Sequence, residues 1–190
     1  MINIREERAT DFAAREALLD EAYGPARFAK SSQRLREGRL PAKGLSLIAV
    51  ERGQIVGTVR LWHVVAGPDR PALLLGPLAV HPDHRKCGIG SALVRRAIAR
   101  AHLGAYRAIL LVGEAAYYGR FGFTAEETGR LWMPGRFEPE RLLALELRSG
   151  ALAGAHGLIG AAGQIEPKPD LMTLIAAKGG AQHAVVQRAA

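Results

Sequence analysis

The stretch from residue 73 to residue 100 constrains the fold of this chain more than any other. Its first part, residues 73–80, is an apolar run of the length expected for a buried strand. A short basic loop follows at residues 81–87. Two glycines then open a segment whose apolar residues have the spacing of one buried helical face: Ile89, Leu93, Val94, Ala97 and Ile98. The stretch therefore predicts a strand, a loop and a helix in immediate succession.

This arrangement is suited to holding a phosphate group. Gly88 and Gly90 let the backbone approach a ligand closely, and the first N–H groups of the helix point toward the loop. The helix dipole adds partial positive charge there, and Arg85 and Lys86 add two full charges. Neither the GxxxxGK[ST] run nor the GxGxxG dinucleotide fingerprint is present. The alternative interpretation is an ordinary turn between a strand and a helix.

The pattern Arg85-x-x-Gly88-x-Gly90 resembles the acetyl-CoA loop of the GNAT superfamily of N-acetyltransferases, usually written [QR]-x-x-G-x-[GA]. The resemblance implies that acetyl-CoA is the cofactor and that its pyrophosphate lies on the backbone N–H groups of residues 86–90. The cofactor-binding residues that it implies are Leu78, Ala79, Val80, Arg85, Lys86, Cys87, Gly88, Ile89, Gly90, Ser91, Tyr118 and Phe121.

Length and composition limit the class of protein. The chain has 190 residues, 48% of them hydrophobic, which is enough for one domain with a real core. It contains no apolar run long enough to cross a bilayer and no visible signal peptide, so we expect a cytoplasmic protein with no membrane partner. The single cysteine, Cys87, excludes an intramolecular disulfide and a cysteine-based metal cluster. We expect no metal site.

The formal net charge of +8 raises the question of an anionic partner, which could be CoA, a nucleic acid or an acidic substrate. The basic residues are scattered and few aromatic residues lie among them, so a nucleic-acid partner is disfavoured. The phosphates of CoA need only a local basic patch.

Periodicity and turn residues predict the other elements. Strands are expected at residues 2–8, 45–51, 55–65, 107–112 and 142–147, and another begins at 123–127. Helices are expected from Thr10 or Asp11 to about Tyr23, over 26–37, and over 114–121. Phe12, Ala13, Leu18 and Leu19 should face inward, whereas the helix over 26–37 should be half exposed. The predicted class is α/β (α+β), with a mixed, mostly antiparallel central sheet and helices on both faces. The order of elements also resembles the GNAT fold, over about residues 1–148.

Gly76 and Pro77 interrupt the central strand. Proline cannot donate a hydrogen bond to a neighbouring strand, so the pair marks a bulge or an edge. In GNAT proteins the central strand bulges and splays away from the next strand, which leaves a V-shaped gap for the pantetheine arm. The alternative is an irregular strand whose proline has no function.

A second stretch, residues 115–123, resembles the GNAT signature Y-x-x-x-G-F. The resemblance places Tyr118 near the sulfur of CoA, where its phenol could protonate the leaving thiolate. Tyr117 is then expected to be the core aromatic residue, and Phe121 to line the cofactor. The alternative assigns Tyr118 to the core as well.

The reaction requires an amine to attack the thioester while a backbone N–H stabilises the oxyanion. In the family that N–H belongs to the splayed strand, and Leu78 is the candidate because Pro77 has no hydrogen to donate. Residues 73–80 contain no carboxylate, so the identity of the general base is left open. Glu114 and His63 are the candidates, and a water relay or capture of a neutral amine would need neither.

Residues 149–190 form a C-terminal extension that is rich in Ala and Gly. Its apolar run at 171–175 would be costly to leave in water. We therefore expect the extension to pack on the domain or on a second subunit, as in a homodimer.

We predict an N-acetyltransferase that moves an acetyl group from acetyl-CoA to a primary amine of a small molecule or a protein, and the acceptor itself is unknown. The first alternative is a non-catalytic CoA-binding regulatory module on the same fold, which the missing strand carboxylate favours slightly. The second is a nucleic-acid-binding protein.

Overall fold

The computed structural model describes residues 2–167 of the chain, and eight strands lie in that range. They are β1 (Asn3–Glu6), β2 (Ser46–Glu51), β3 (Gln54–Ala66), β4 (Pro71–Val80), β5 (Ala108–Val112), β6 (Leu131–Trp132), β7 (Leu142–Glu146) and β8 (Gly157–Ala161). Four α-helices accompany them: α1 (Phe12–Tyr23), α2 (Ser31–Arg34), α3 (Ile89–Leu103) and α4 (Ala115–Tyr118).

The sheet has the predicted mixed, mostly antiparallel character. Its main path runs in the order β1-β2-β3-β4-β5-β7, and every pair on that path is antiparallel except β4 with β5. β8 pairs antiparallel with the end of β3 and parallel with β6. Since β4 and β5 are parallel, α3 forms the crossover between them.

Helices cover both faces of the sheet, as predicted. The residues of α3 that the 3.6 periodicity selects are buried in the larger core, except that Ile98 is only half-buried. On the opposite face, Leu18 and Leu19 of α1 pack against Ala79. The expectation for the start of α1 is wrong, because Phe12 is 60% exposed and Ala13 is exposed as well. Arg15 is buried in their place and donates from Nε to Glu7 Oε1 at 2.9 Å.

The bulge predicted at Gly76 and Pro77 is present in β4. Leu75 lies opposite Leu61 and Leu78 lies opposite Val59, so β4 holds one more residue than β3 over this interval. Because of this extra residue, the positions that pack on the same core change from odd to even numbers. They are Leu73 and Leu75 before the bulge, and Leu78 and Val80 after it. The indole Nε1 of Trp62 donates to the Gly76 carbonyl at 2.7 Å and holds the bulge in place.

β4 and β5 separate just before this bulge. Their register joins Leu73 to Ile109 and Leu74 to Leu110, and the two strands pair at no further position in the described chain. β5 then pairs with β7 along its whole length, whereas β4 turns toward β3. The edge of β4 from residue 75 onward thus faces a gap, as the family resemblance implies.

Two predicted elements are wrong. The helix over 26–37 is broken into a 3-10 turn at Pro25–Ala29 and the short α2, because Lys30 has extended dihedral angles of −67° and 140°. This region is also less exposed than expected, since Leu35 and Arg36 are buried. The strand at 123–127 reduces to one bridge, between Thr124 and Ala144.

The residues that follow position 149 join the same sheet as far as Ala161. Leu152 and Ile159 are fully buried against β3 and β4 residues. The apolar run at 171–175 lies outside the described residues. Within 2–167, no helix combines the length and the apolar character that a membrane crossing requires.

Candidate active site

The loop between β4 and α3 presents a row of unused backbone donors. None of the six N–H groups from Lys86 to Ser91 donates to a protein acceptor in the described chain, whereas Arg85 and Ala92 on either side do. Lys86 and Gly88 adopt left-handed backbone angles, with φ of 65° and 79°. Left-handed residues that alternate with other backbone conformations turn successive N–H groups toward one point. The start of α3 therefore has the form of an anion-binding concavity.

A cavity of about 290 Å³, called the phosphate cavity below after the ligand that the sequence predicts, lies over these donors. Its walls are Val80, His84, Arg85, Lys86, Gly88, Ile89, Gly90, Ser91, Tyr117 and Arg120. His84, which is not among the predicted cofactor-binding residues, is held there by Glu51 at 3.0 Å. Arg120, also missed, lies over the Tyr117 ring, 4.1 Å from its centroid. The loop chemistry predicted from the sequence is therefore completed by side chains from other elements.

Tyr117 is not the core aromatic residue that the sequence suggested. Its hydroxyl lies at the glycine loop, 2.9 Å from the point where a Cβ on Gly90 would stand. A side chain at position 90 would crowd the phenol, so one of the two would have to shift. Of the two tyrosines, it is Tyr118 that packs against the main core.

Three further residues of the predicted cofactor set lie elsewhere. The Ala79 side chain packs against α1, and Ala79 is not among the residues that line the phosphate cavity. Cys87 is exposed on the loop. Phe121 lies outside the phosphate cavity, in a groove beside α3 with Arg95 5.4 Å from its ring centroid.

A second cavity, of about 310 Å³, occupies the gap where β4 leaves β5. This gap cavity is walled by the end of α1, the segment 27–36, the bulge of β4, the end of β5, the end of α4 and the segment 136–141. The lining residues are Tyr23, Arg27, Lys30, Ser31, Ser32, Gln33, Arg36, Leu75, Gly76, Pro77, Leu78, Val112, Tyr118, Arg136, Phe137, Glu138 and Arg141. Leu78 belongs to this cavity and Val80 to the phosphate cavity, so the two adjoin along β4.

The ring of Tyr118 is fixed from two sides. It lies over Gly113, where an added Cβ would come within 2.3 Å of Cε2, and its centroid is 5.9 Å from that of Phe123. Burial is the main reason that the pKa of Tyr118 is raised above its usual range, with Tyr23 and Tyr117 contributing further. The phenol therefore keeps its proton at neutral pH and can act as a donor.

Leu78 directs its backbone polar groups into the gap. Its carbonyl accepts a hydrogen bond from the Tyr23 hydroxyl, a lining residue of the same cavity. In an extended strand the N–H and C=O of one residue point to the same edge, so the Leu78 N–H faces the gap as well. Burial raises the pKa of Tyr23, which keeps this hydroxyl in its donor form.

The two sequence candidates for a general base are placed differently. His63 pairs with Leu73, which is about 16 Å along the strand from Leu78, and it packs on Tyr106 beside a cavity at the other end of the sheet. His63 is therefore excluded by position. Glu114 is 70% exposed in its side chain and pairs with Arg141 at 3.1 Å, at the mouth of the gap cavity. Glu138, which the sequence did not indicate, lines the cavity and is 3.5 Å from Arg141.

Comparison with known proteins agrees with this geometry. Residues 42–125 match the family model described as an acetyltransferase (GNAT) domain. The chain is 32% identical over 162 residues to the uncharacterized N-acetyltransferase YhbS of Escherichia coli K12, covering 82% of this chain and 93% of YhbS.

Solved structures show the same likeness. The crystal structure of E. coli YhbS in complex with CoA superposes with a TM-score of 0.71 and 30% identity, covering 85% of this chain and 89% of that one. A GNAT family acetyltransferase from Brucella melitensis in complex with acetyl-CoA gives a TM-score of 0.59 and 26% identity, covering 90% and 94%.

Proposed function

The chain belongs to the GNAT superfamily of acetyl-CoA-dependent N-acetyltransferases, and we propose that it transfers the acetyl group to a primary amine bound in the gap cavity. The observation that carries this proposal is the junction of the two cavities along β4. A cofactor whose pyrophosphate lies on the N–H groups of residues 86–90 would follow β4 toward the gap, where Leu78 and Tyr118 stand.

In the proposed reaction the amine nitrogen attacks the thioester carbonyl carbon directly. The Leu78 N–H would stabilise the oxyanion that forms, and the C–S bond breaks as the tetrahedral intermediate collapses. Tyr118 would donate its proton to the departing thiolate, which leaves as CoA. The proton that the amine loses would pass to water or to one of the carboxylates at the cavity mouth, Glu114 or Glu138, and a proton from water would restore the Tyr118 phenol.

The positive lining of the gap cavity would assist this step without a strong base. Five of its lining side chains are cationic and Glu138 alone is anionic. A positive environment disfavours the ammonium form of a bound amine and favours the neutral form that attacks. This accounts for a transferase whose central strand, residues 73–80, lacks a carboxylate.

A screen that counts released CoA tests the proposal. Purified protein with acetyl-CoA is offered a panel of simple amines, amino acids and peptides, and Tyr118→Phe serves as the matched variant. We expect amine-dependent CoA release that the variant largely loses. Saturable acetyl-CoA binding without transfer to any amine would instead support a regulatory CoA-binding module.

A further inference from the structure

Arg36 is the one arginine of the gap cavity that is both buried and without an ion-pair partner in the described chain. It is 7% exposed, and its only side-chain hydrogen bond there runs from Nη2 to Ser32 Oγ at 3.4 Å. Its Nε has no partner at all within residues 2–167. The guanidinium group is therefore shielded from water but is not neutralised.

The other arginines of this cavity differ from Arg36. Arg27 pairs with Glu16 at 2.6 Å and with Asp20 at 2.8 Å. Arg141 pairs with Glu114 and Glu138. Arg136 lies exposed to solvent, which screens its charge. Arg36 alone combines burial with an unbalanced charge.

Arg36 keeps its positive charge at neutral pH. Burial is the main cause that lowers the pKa of Arg36 to about 10, so the guanidinium stays protonated at neutral pH. A buried charge without a counter-ion is destabilising, and the addition of an anion at hydrogen-bond distance relieves that cost. A negatively charged group bound at this site would therefore stabilise it.

The guanidinium also stands beside the reacting strand. Its Nη1 lies 3.9 Å from the point where a Cβ on Gly76 would be, two residues before Leu78. Gly76 leaves this face of the bulge open, so a ligand can touch both Arg36 and the edge of β4. A small molecule in the cavity of about 310 Å³ could place one group on Arg36 and another beside Leu78.

We infer that Arg36 binds a carboxylate of the acceptor, and that the acceptor is a small molecule carrying both a primary amine and a carboxylate. This inference rests on the proposed acetyl transfer. One unpaired guanidinium matches one negative charge, and its planar fork fits a carboxylate with two parallel hydrogen bonds. Lys30 and Arg136, which line the same cavity, reinforce the preference for an anionic ligand.

The kinetic test compares acceptors that differ only in charge. Glycine, β-alanine and 4-aminobutyrate are offered beside their amides, and CoA release gives kcat/KM for each. We expect the wild type to favour at least one amino acid over its amide by about 100-fold. Arg36→Gln should remove this preference, and Arg36→Lys should restore part of it because the charge returns without the planar fork.

Arg34→Gln is the matched control. Arg34 is the exposed last residue of α2, two positions before Arg36, and does not line the gap cavity. It should change neither the preference nor acetyl-CoA affinity. Melting curves of all three variants verify that each is folded before kinetics are compared.

A binding measurement separates the two proposals. Each of the three amino acids is titrated calorimetrically into protein saturated with CoA, for the wild type and for Arg36→Gln. Binding to the wild type with at least tenfold loss in the variant supports the carboxylate site, even if no amine accepts an acetyl group and the transfer itself fails. No binding of any of them, equal binding by both proteins, or equal transfer to acids and amides would overturn the carboxylate inference.

Discussion

The phosphate cavity and the gap cavity are neighbours along β4, but they are built in opposite ways. The hydrogen-bond donors of the first are mostly backbone N–H groups, and they come from consecutive residues, 86–91. The second is assembled by residues from six separate segments of the chain. A site built from consecutive backbone groups can be predicted from the sequence, whereas a site built from distant side chains can be recognised only in the folded structure.

The same contrast separates what is shared with relatives from what is particular to this chain. A backbone cradle suits any protein that binds the same cofactor, because it depends on glycine placement and a helix start. Under our proposal the side chains of the gap cavity determine which acceptor is bound, and the family alone does not specify them. Variants in the two cavities should therefore have separable effects.

The largest separable effect is expected for Tyr118→Phe. The change removes one oxygen from a side chain that lines the gap cavity, so acetyl-CoA affinity should be retained while kcat falls about 100-fold. Because burial raises the pKa of Tyr118, wild-type kcat should show no loss from its ionisation below about pH 10. Steady-state kinetics at saturating acetyl-CoA, measured against pH, check both expectations.

Tyr117→Phe is the control for that experiment. Since the Tyr117 hydroxyl stands at Gly90, its loss should weaken cofactor affinity severalfold and leave kcat nearly unchanged. Equal effects of the two variants on kcat would mean that the phenol of Tyr118 is not the acid.

A smaller effect, on stability, is expected for Asp11→Asn. The Asp11 carboxylate accepts from Arg5 at 2.7 and 2.9 Å and from the Arg8 N–H at 2.7 Å, and it ties β1 to the start of α1, which carries Tyr23 to the gap cavity. The Arg5 hydrogen bonds are the main reason that the pKa of Asp11 is lowered to about 2. A lowered carboxylate pKa stabilises the fold at neutral pH, and this stabilisation is lost as the pH falls from about 4 through 2.

The substitution should therefore cost about 2 kcal/mol at pH 7 and much less near pH 2. Denaturant unfolding at the two pH values measures the difference. Asp83→Asn, whose side chain is 85% exposed, should cost little at either pH. A pH-independent loss in Asp11→Asn would show that the ion pair is not its source.

The smallest effect is expected for Trp62→Phe. The indole donates to the Gly76 carbonyl, so its loss should cost about 1 kcal/mol in stability and loosen the bulge that borders the gap cavity. Acceptor kcat/KM should fall severalfold while acetyl-CoA affinity is retained. Trp132→Phe, at a residue 58% exposed, is the control, and similar kinetics in both variants would contradict this role for Trp62.

The comparison also explains how far sequence reasoning reaches. The strand–loop–helix unit, the bulge and the mixed sheet were predicted because each depends on local spacing or on glycine and proline chemistry. Arg36 was missed because it lies in a segment whose weak apolar pattern suggested a half-exposed helix. Its guanidinium lies beside Gly76 of β4, 40 residues away in the sequence, and no local pattern encodes that contact. Tyr117 was given the wrong packing because tertiary contacts fix the direction in which a short helix presents its side chains.

The central claim is that the glycine loop holds the pyrophosphate of acetyl-CoA, and Gly88→Val tests it most directly. Gly44→Val is a matched control, because the two glycines have φ of 79° and 78° and neither has an atom within 4 Å of its Cβ position. Both variants bear the same backbone strain, but only Gly88→Val places a side chain at the phosphate cavity. Calorimetric titration with acetyl-CoA should show at least a tenfold loss, about 1.4 kcal/mol, for Gly88→Val and wild-type affinity for Gly44→Val. Unchanged affinity in a folded Gly88→Val protein would contradict the claim.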